Sequence, residues 1–102
     1  MTTFEVLADP NRRRILELLR DQERPVGDLV TELRISQPGV SKHLRVLRTA
    51  GLVSVRPDAQ RRMYRVRFEP LIELDRWLDP YRRVWTERLD ALERRLDEME
   101  VI

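Results

Sequence analysis

The residues best suited to chemistry lie close together, between positions 37 and 64. Gln37, Pro38, Ser41, Lys42, His43 and Arg45 fall within nine positions, and Arg56, Arg61, Arg62 and Tyr64 follow shortly after. Amides, hydroxyls and cations at this density hydrogen-bond and neutralise; they do not assemble a nucleophile. His43 is the only histidine of the 102 residues, and there is no cysteine. Disulfides, thiolate metal sites and a cysteine nucleophile are therefore excluded, and His43 has no histidine or cysteine with which to share a metal. It remains a candidate DNA contact, or a half-buried residue packed near a turn. The three glycines, Gly27, Gly39 and Gly51, form no phosphate loop. No enzyme is expected, no cofactor and no metal.

Charge points the same way once it is divided along the chain. The whole carries +2, but residues 34–67 hold nine Arg or Lys against the single acid Asp58, a local charge of +8, between two acidic flanks. A basic middle of this kind suits a polyanion. The bland alternative is a solvated basic face with no partner.

The elements that must position these residues can be read in order. Thr3 to Ala8 suits a first short helix. Asp9-Pro10 is an N-cap followed by a proline at the first helical position, so residues 10–20 read as a second. Val26, Leu29, Val30 and Leu33 mark a third at helical spacing. Arg34-Ile35-Ser36 is a tight link, with Ser36 as an N-cap. Val40, Leu44 and Leu47 mark the apolar face of a helix from Gln37 to Ala50, which Gly51 ends in a left-handed cap. Two helices joined by three residues are a helix-turn-helix. The pattern then alternates at Leu52–Val55 and Tyr64–Phe68 around a polar, arginine-rich turn, which predicts a β-hairpin with a basic tip, a wing.

On the outward side of the fourth helix the residues near its start are small or hydrogen-bonding, as a helix entering the major groove requires. Gly39, poor in helix propensity, suits a close approach of backbone to DNA. Gln37, Pro38, Ser41, Lys42, His43 and Arg45 are thus candidate DNA contacts from the helix. Arg56, Arg61, Arg62 and Tyr64 are candidates from the wing.

From Leu71 onward the apolar residues Leu71, Leu74, Leu78, Tyr81, Trp85, Leu89, Leu92, Leu96 and Met99 recur as heptads with one four-residue insertion between Trp85 and Leu89. Asp79-Pro80 repeats the cap-and-proline signal, so a break or kink is expected there. The stripe predicts pairing with a second copy through Leu74, Trp77, Leu78, Tyr81, Trp85, Leu89 and Leu92, joined by Phe4 and Leu7 of the first helix. It can alternatively fold back on its own core, or line a pocket for a small apolar effector.

Several segments also carry a family resemblance: Ala8-Asp9-Pro10-Asn11-Arg12-Arg13-Arg14-Ile15-Leu16, Val26-Gly27-Asp28-Leu29, Ile35 to Leu47 with its Ser41-Lys42-His43-Leu44 run, and Ala50-Gly51-Leu52-Val53. Together they resemble the ArsR family of bacterial repressors over about residues 4–68. The resemblance implies a dimeric repressor on an imperfect palindrome. The chain departs from many members at the sensor: Arg24-Pro25 stand where cysteines are common, and the last helix has no histidine. It therefore resembles the metal-independent branch.

The expected architecture is mainly α with a small β-hairpin (α+β), a single winged helix-turn-helix domain over 1–102. Its helix-turn-helix spans about 26–50, its wing about 53–68 and its C-terminal dimerisation helices about 70–100. The expected function is sequence-specific binding of double-stranded DNA by a homodimer. The alternatives are a winged-helix protein-interaction module, or an activator with a small apolar effector. The N-terminus lacks a basic start followed by an apolar stretch, so a cytoplasmic, membrane-free location is expected.

Overall fold

The computed structural model of the protein describes residues 1–100. Five helices and three strands follow in the order α1 (Thr3–Leu7), α2 (Pro10–Leu19), β1 (Arg24–Pro25), α3 (Val26–Leu33), α4 (Gln37–Thr49), β2 (Val53–Asp58), β3 (Arg61–Val66) and α5 (Glu69–Glu100). The chain divides into two compact units, one from Met1 to Ile72 and one from Glu73 onward. No helix among the described residues is long and apolar enough to cross a membrane.

In the first unit, α1 is only five residues long, too short to hold itself. Its start is closed by a capping box. Thr2 Oγ1 accepts the Glu5 N–H at 3.2 Å, and the Glu5 carboxylate accepts from the Thr2 N–H. Its C-terminal carbonyls, which no helical N–H reaches, are taken by two arginines of α2. Arg12 Nε donates to the Val6 carbonyl at 2.7 Å, and Arg13 donates to those of Leu7 and Ala8 at 2.7 and 3.1 Å. Asp9 caps α2, accepting the N–H groups of Asn11 and Arg12 at 2.8 and 3.2 Å. Burial pushes the Asp9 carboxyl up. The two N–H donors, helped by the charges of His43 and Arg12, outweigh it and hold the group below its ordinary value.

The link between α3 and α4 turns on Arg34, which adopts φ 57° in the left-handed region. Ser36 then caps α4, accepting the Gly39 N–H at 3.2 Å. Gly39 is matched to this cap: a Cβ there would stand 3.2 Å from Ser36 Oγ. At the other end, Gly51 (φ 76°) donates to the Arg48 carbonyl at 3.0 Å and Leu52 to that of Leu47 at 2.9 Å. This paired 5→2 and 6→1 bonding is a Schellman cap. It turns the chain from α4 directly into β2.

The sheet is antiparallel in the order β1-β3-β2. β2 and β3 form the expected hairpin, with Asp58 opposite Arg61 and the two-residue loop Ala59-Gln60 between them. β1, two residues containing a proline, was not signalled by the sequence; it adds Arg24 opposite Tyr64 and Pro25 opposite Met63. The core gathers Val6, Ile15, Leu19, Leu29, Val40, Leu44, Leu47, Leu52 and Val53, one or more side chains from each of α1–α4 and from β2.

The long last helix corrects one expectation. Asp79-Pro80 does not divide it: α5 is one 32-residue helix with Pro80 inside. A proline removes a donor and strains the preceding turn. Here Arg82 reaches back to that turn, donating to the carbonyl and the carboxylate of Asp75 and pairing with Asp79. These contacts brace the turn before Pro80, whose missing N–H would have served the Arg76 carbonyl.

Two outcomes follow for stability. Gly51→Ala places a side chain at a left-handed φ with no steric conflict beyond, the nearest atom being Pro70 Cγ at 3.8 Å. Urea unfolding should show a loss of about 1–2 kcal/mol. Asp9→Ala should cost about 1 kcal/mol through the lost cap. The Asp9 contribution is present above the ordinary carboxylate pKa and lost as pH falls through the lowered one. The difference between parent and Asp9→Ala should therefore shrink below about pH 4.

Candidate nucleic-acid interface

Burial of Val40, Leu44 and Leu47 fixes the rotation of α4. At about 100° per residue, Pro38, Lys42 and Arg45 must then point away from the core. All three are exposed. Gln37 and Ser41 fall on one flank of the helix and His43 on the other. On the first flank, a cleft of about 640 Å³ separates α4 from the wing. Gln37 and Ser41 line one wall, Gln60, Arg61, Arg62 and Tyr64 another, and Pro25 to Asp28 at the start of α3 the floor. Five of the ten expected DNA-contacting residues thus surround one cleft, and Lys42, Arg45 and Pro38 present the outward face beside it.

Strand alternation sorts the wing arginines. Tyr64 and Val66 pack against the core, so the side chain of Arg62, in step with them, lies on that face. Arg56, opposite Met63, is out of step and belongs to the other face, with Ser54 and Arg65. Its guanidinium is held there by Glu23: Nε donates to both carboxylate oxygens at 3.1 and 2.9 Å, and Nη2 donates to Oε1. The pair depresses the Glu23 carboxyl below its ordinary value and raises the Arg56 guanidinium. Arg61 pairs with Asp58 at 3.5 Å across the hairpin end. Lys42, Arg45 and Arg62 have no carboxylate partner among the described residues, which leaves these cations available to a polyanion.

His43 is half-buried. Its flank faces the start of α2, close enough for its charge to act on Asp9. The structure does not bring it into the cleft. Sequence reasoning missed the acid Glu23, which is 33 positions from Arg56, beyond any local pattern. It also missed Gly27, Asp28 and Gln60 in the cleft wall. Of the residues expected at a dimer contact, Phe4 is exposed and Leu7 half-buried on α1. On α5, Leu74 is half-buried, and Trp77, Leu78, Tyr81, Trp85, Leu89 and Leu92 are exposed.

A helix-turn-helix whose second helix presents an outward polar face beside an arginine-tipped hairpin defines a winged-helix DNA-binding protein. Comparison with known proteins gives the family. The family of bacterial regulatory proteins named for arsR matches residues 9–55. The chain is 40% identical over 94 residues to the HTH-type transcriptional regulator Rv2034 of Mycobacterium tuberculosis, covering 92% of this chain and 85% of that protein. It is 36% identical over 78 residues to the arsenical resistance operon repressor of Staphylococcus xylosus, covering 76% and 75%. A crystal structure described as a possible transcriptional regulator for arsenical resistance superposes with a TM-score of 0.73 at 38% identity, covering 90% and 93%. The chain belongs to the ArsR family. It is a winged helix-turn-helix, DNA-binding transcription regulator and not an enzyme.

The geometry separates two kinds of contact. Arg45→Ala on the outward face of α4 should weaken binding to a selected operator by about 1–3 kcal/mol if it reads a base. Arg62→Ala on the wing should weaken binding to every duplex alike and flatten the salt slope by about 1. Titrations of operator and unrelated duplex at several salt concentrations check both. An Arg62→Ala slope equal to that of the parent would remove the wing tip from the interface.

Proposed function

We propose that the protein is a cytoplasmic homodimeric repressor that binds an imperfect palindrome in double-stranded DNA. The observation that carries this reading is the convergence of α4 and the wing tip on one cleft, beside the unpaired cations Lys42, Arg45 and Arg62. Gln37, Pro38, Ser41, Lys42 and Arg45 enter the major groove. Arg61, Arg62 and Tyr64 follow the adjoining backbone. His43 acts through its position between α4 and α2, steadying the angle at which α4 is presented.

A single recognition helix covers too few base pairs to specify a site. Two of them, related by a two-fold axis, reach successive major grooves about 34–36 Å apart. The stripe on α5 supports pairing with a second copy. Trp85 is 63% exposed and Leu89 52%; Trp85 continues the heptad spacing of Leu78 and Tyr81, and Leu89, after the insertion, starts that of Leu92 and Leu96. Trp77 and Tyr81 stack one turn apart, ring centroids 5.0 Å, and present a joint aromatic surface. An apolar face of this length is an association surface, and heptad spacing suits a helix as its occupant. Phe4 and Leu7 of α1 extend the contact.

The arsenical response in the names of two relatives has no counterpart in this sequence, which has no thiol to bind arsenite. DNA release should be indifferent to arsenite, cadmium and zinc.

Selection of bound duplexes from a random pool tests the reading. An inverted repeat with half-sites one helical turn apart is expected. Trp85→Glu and Leu89→Glu should sediment as monomers and lose specific binding while α4 stays intact. A parent protein that is monomeric at tens of micromolar yet still selects a palindrome would overturn the dimer.

A further inference from the structure

The pairing of Glu23 with Arg56 is not needed to build the sheet, and it silences a wing cation. Glu23 immediately precedes β1, and Arg56 lies on β2; β3 runs between the two strands. The two side chains cross β3 on the face that carries Arg65, whose guanidinium is itself tied to Ser54 Oγ at 3.1 Å. The contact is a bidentate fork, with two nitrogens of Arg56 engaging both oxygens of Glu23. It stands in partial exposure, the side chains 51% and 30% accessible, so its value to stability is small. Its geometry is the same fork that an arginine offers to a phosphate.

We propose that Glu23 is a positioning residue that holds Arg56 away from DNA phosphate and so sets the overall affinity and salt dependence of DNA binding. The inference rests on the DNA-binding reading above. Each arginine that neutralises a phosphate adds affinity for every sequence alike, because the gain comes from released counterions. A wing with all of its arginines available binds every duplex more tightly and loses more of that affinity as salt rises. Occupying Arg56 with an internal carboxylate leaves Arg62 as the tip arginine with no carboxylate partner among the described residues. An approaching backbone that drew Arg56 away would also leave the Glu23 carboxylate facing phosphate, which opposes the exchange. Both groups are ionised at neutral pH, and the fork lowers the Glu23 carboxyl below its ordinary value.

Binding of an unrelated duplex, followed by anisotropy between 50 and 200 mM salt, tests this with Glu23→Gln, Arg56→Gln and the charge exchange Glu23→Arg/Arg56→Glu. Glu23→Gln frees one cation, so its salt slope should steepen by about 0.9, a further loss of roughly 3- to 4-fold across that range. Its affinity for a selected operator and for the unrelated duplex should rise together at the low-salt end, with their ratio unchanged. Arg56→Gln should keep the parent slope, because its cation never reached phosphate. The exchanged pair should restore the parent slope, which a purely structural role for Glu23 does not require. A slope flattened by about 1 in Arg56→Gln overturns the proposal, since Arg56 is then on phosphate in the parent. So does an unchanged slope in a folded Glu23→Gln. If Glu23→Gln does not fold, the Arg56→Gln and exchange arms still decide. A parent that shows no salt-dependent binding to any duplex sinks the DNA-binding reading itself, a result distinct from either outcome above.

Discussion

The burial of one face of α4 is the constraint on which the rest depends. Val40, Leu44 and Leu47 are fully enclosed, and each removes enough apolar surface from water to be worth roughly 1.5–3 kcal/mol. That energy sets the rotation of the helix, and the rotation decides which side chains face a ligand. Sliding or turning α4 by one residue would bring Lys42 or Arg45 toward the core and expose a leucine. The two caps fix its length as the core fixes its rotation. Ser36 closes the start, bonding the Gly39 N–H with no side chain crowding its hydroxyl. The Schellman cap at Gly51 closes the end and sends Leu52 and Val53 straight back into the same core. The wing therefore leaves the recognition helix at a defined place.

Positive charge is abundant in this chain, but most of it is already occupied. Arg12 and Arg13 donate to the carbonyls that end α1. Arg24 donates to the Leu18 carbonyl at 2.9 Å and fastens the segment before α3. Arg82 serves the turn that Pro80 disturbs, and Arg56 is held by Glu23. What remains available beside the cleft is a small set, Lys42, Arg45 and Arg62. A tally of charge along the sequence locates the basic region correctly but overstates how many of its cations meet a ligand. Pairing depends on folding, and the partners are often carbonyl oxygens that no charge count includes.

Much of this architecture was legible in the sequence because its signals are local. Asp9-Pro10, Ser36 and Gly51 are caps whose effects lie within a few residues, and all three act where the pattern placed them. The alternation around the Ala59-Gln60 turn gives the hairpin. What was not legible is non-local or overridden. β1 is two residues long and exists only because β3 offers an edge. The Glu23–Arg56 fork joins positions that no periodicity connects. His43 and Ser41 are two positions apart and look alike as candidates, yet the helical rotation places them on opposite flanks. Pro80 looked like a boundary because a proline usually is one, yet α5 runs through it, its preceding turn braced by the contacts of Arg82 with Asp75 and Asp79.

The last helix shows how far a local pattern carries and where another argument must take over. Its sequence fixes a helix, since heptad spacing, i to i+4 pairs such as Asp79–Arg83 at 3.1 Å and scarce β-branched residues all agree. None of its residues is buried. Helices in water without a packed face are marginal even when well composed, because most helical stability in proteins comes from tertiary burial. A face of two tryptophans, a tyrosine and successive leucines leaves an unburied apolar area at odds with an isolated helix. In the proposed dimer, matched heptads on a second copy cover this face with no further residues and supply the packing that the helix lacks by itself.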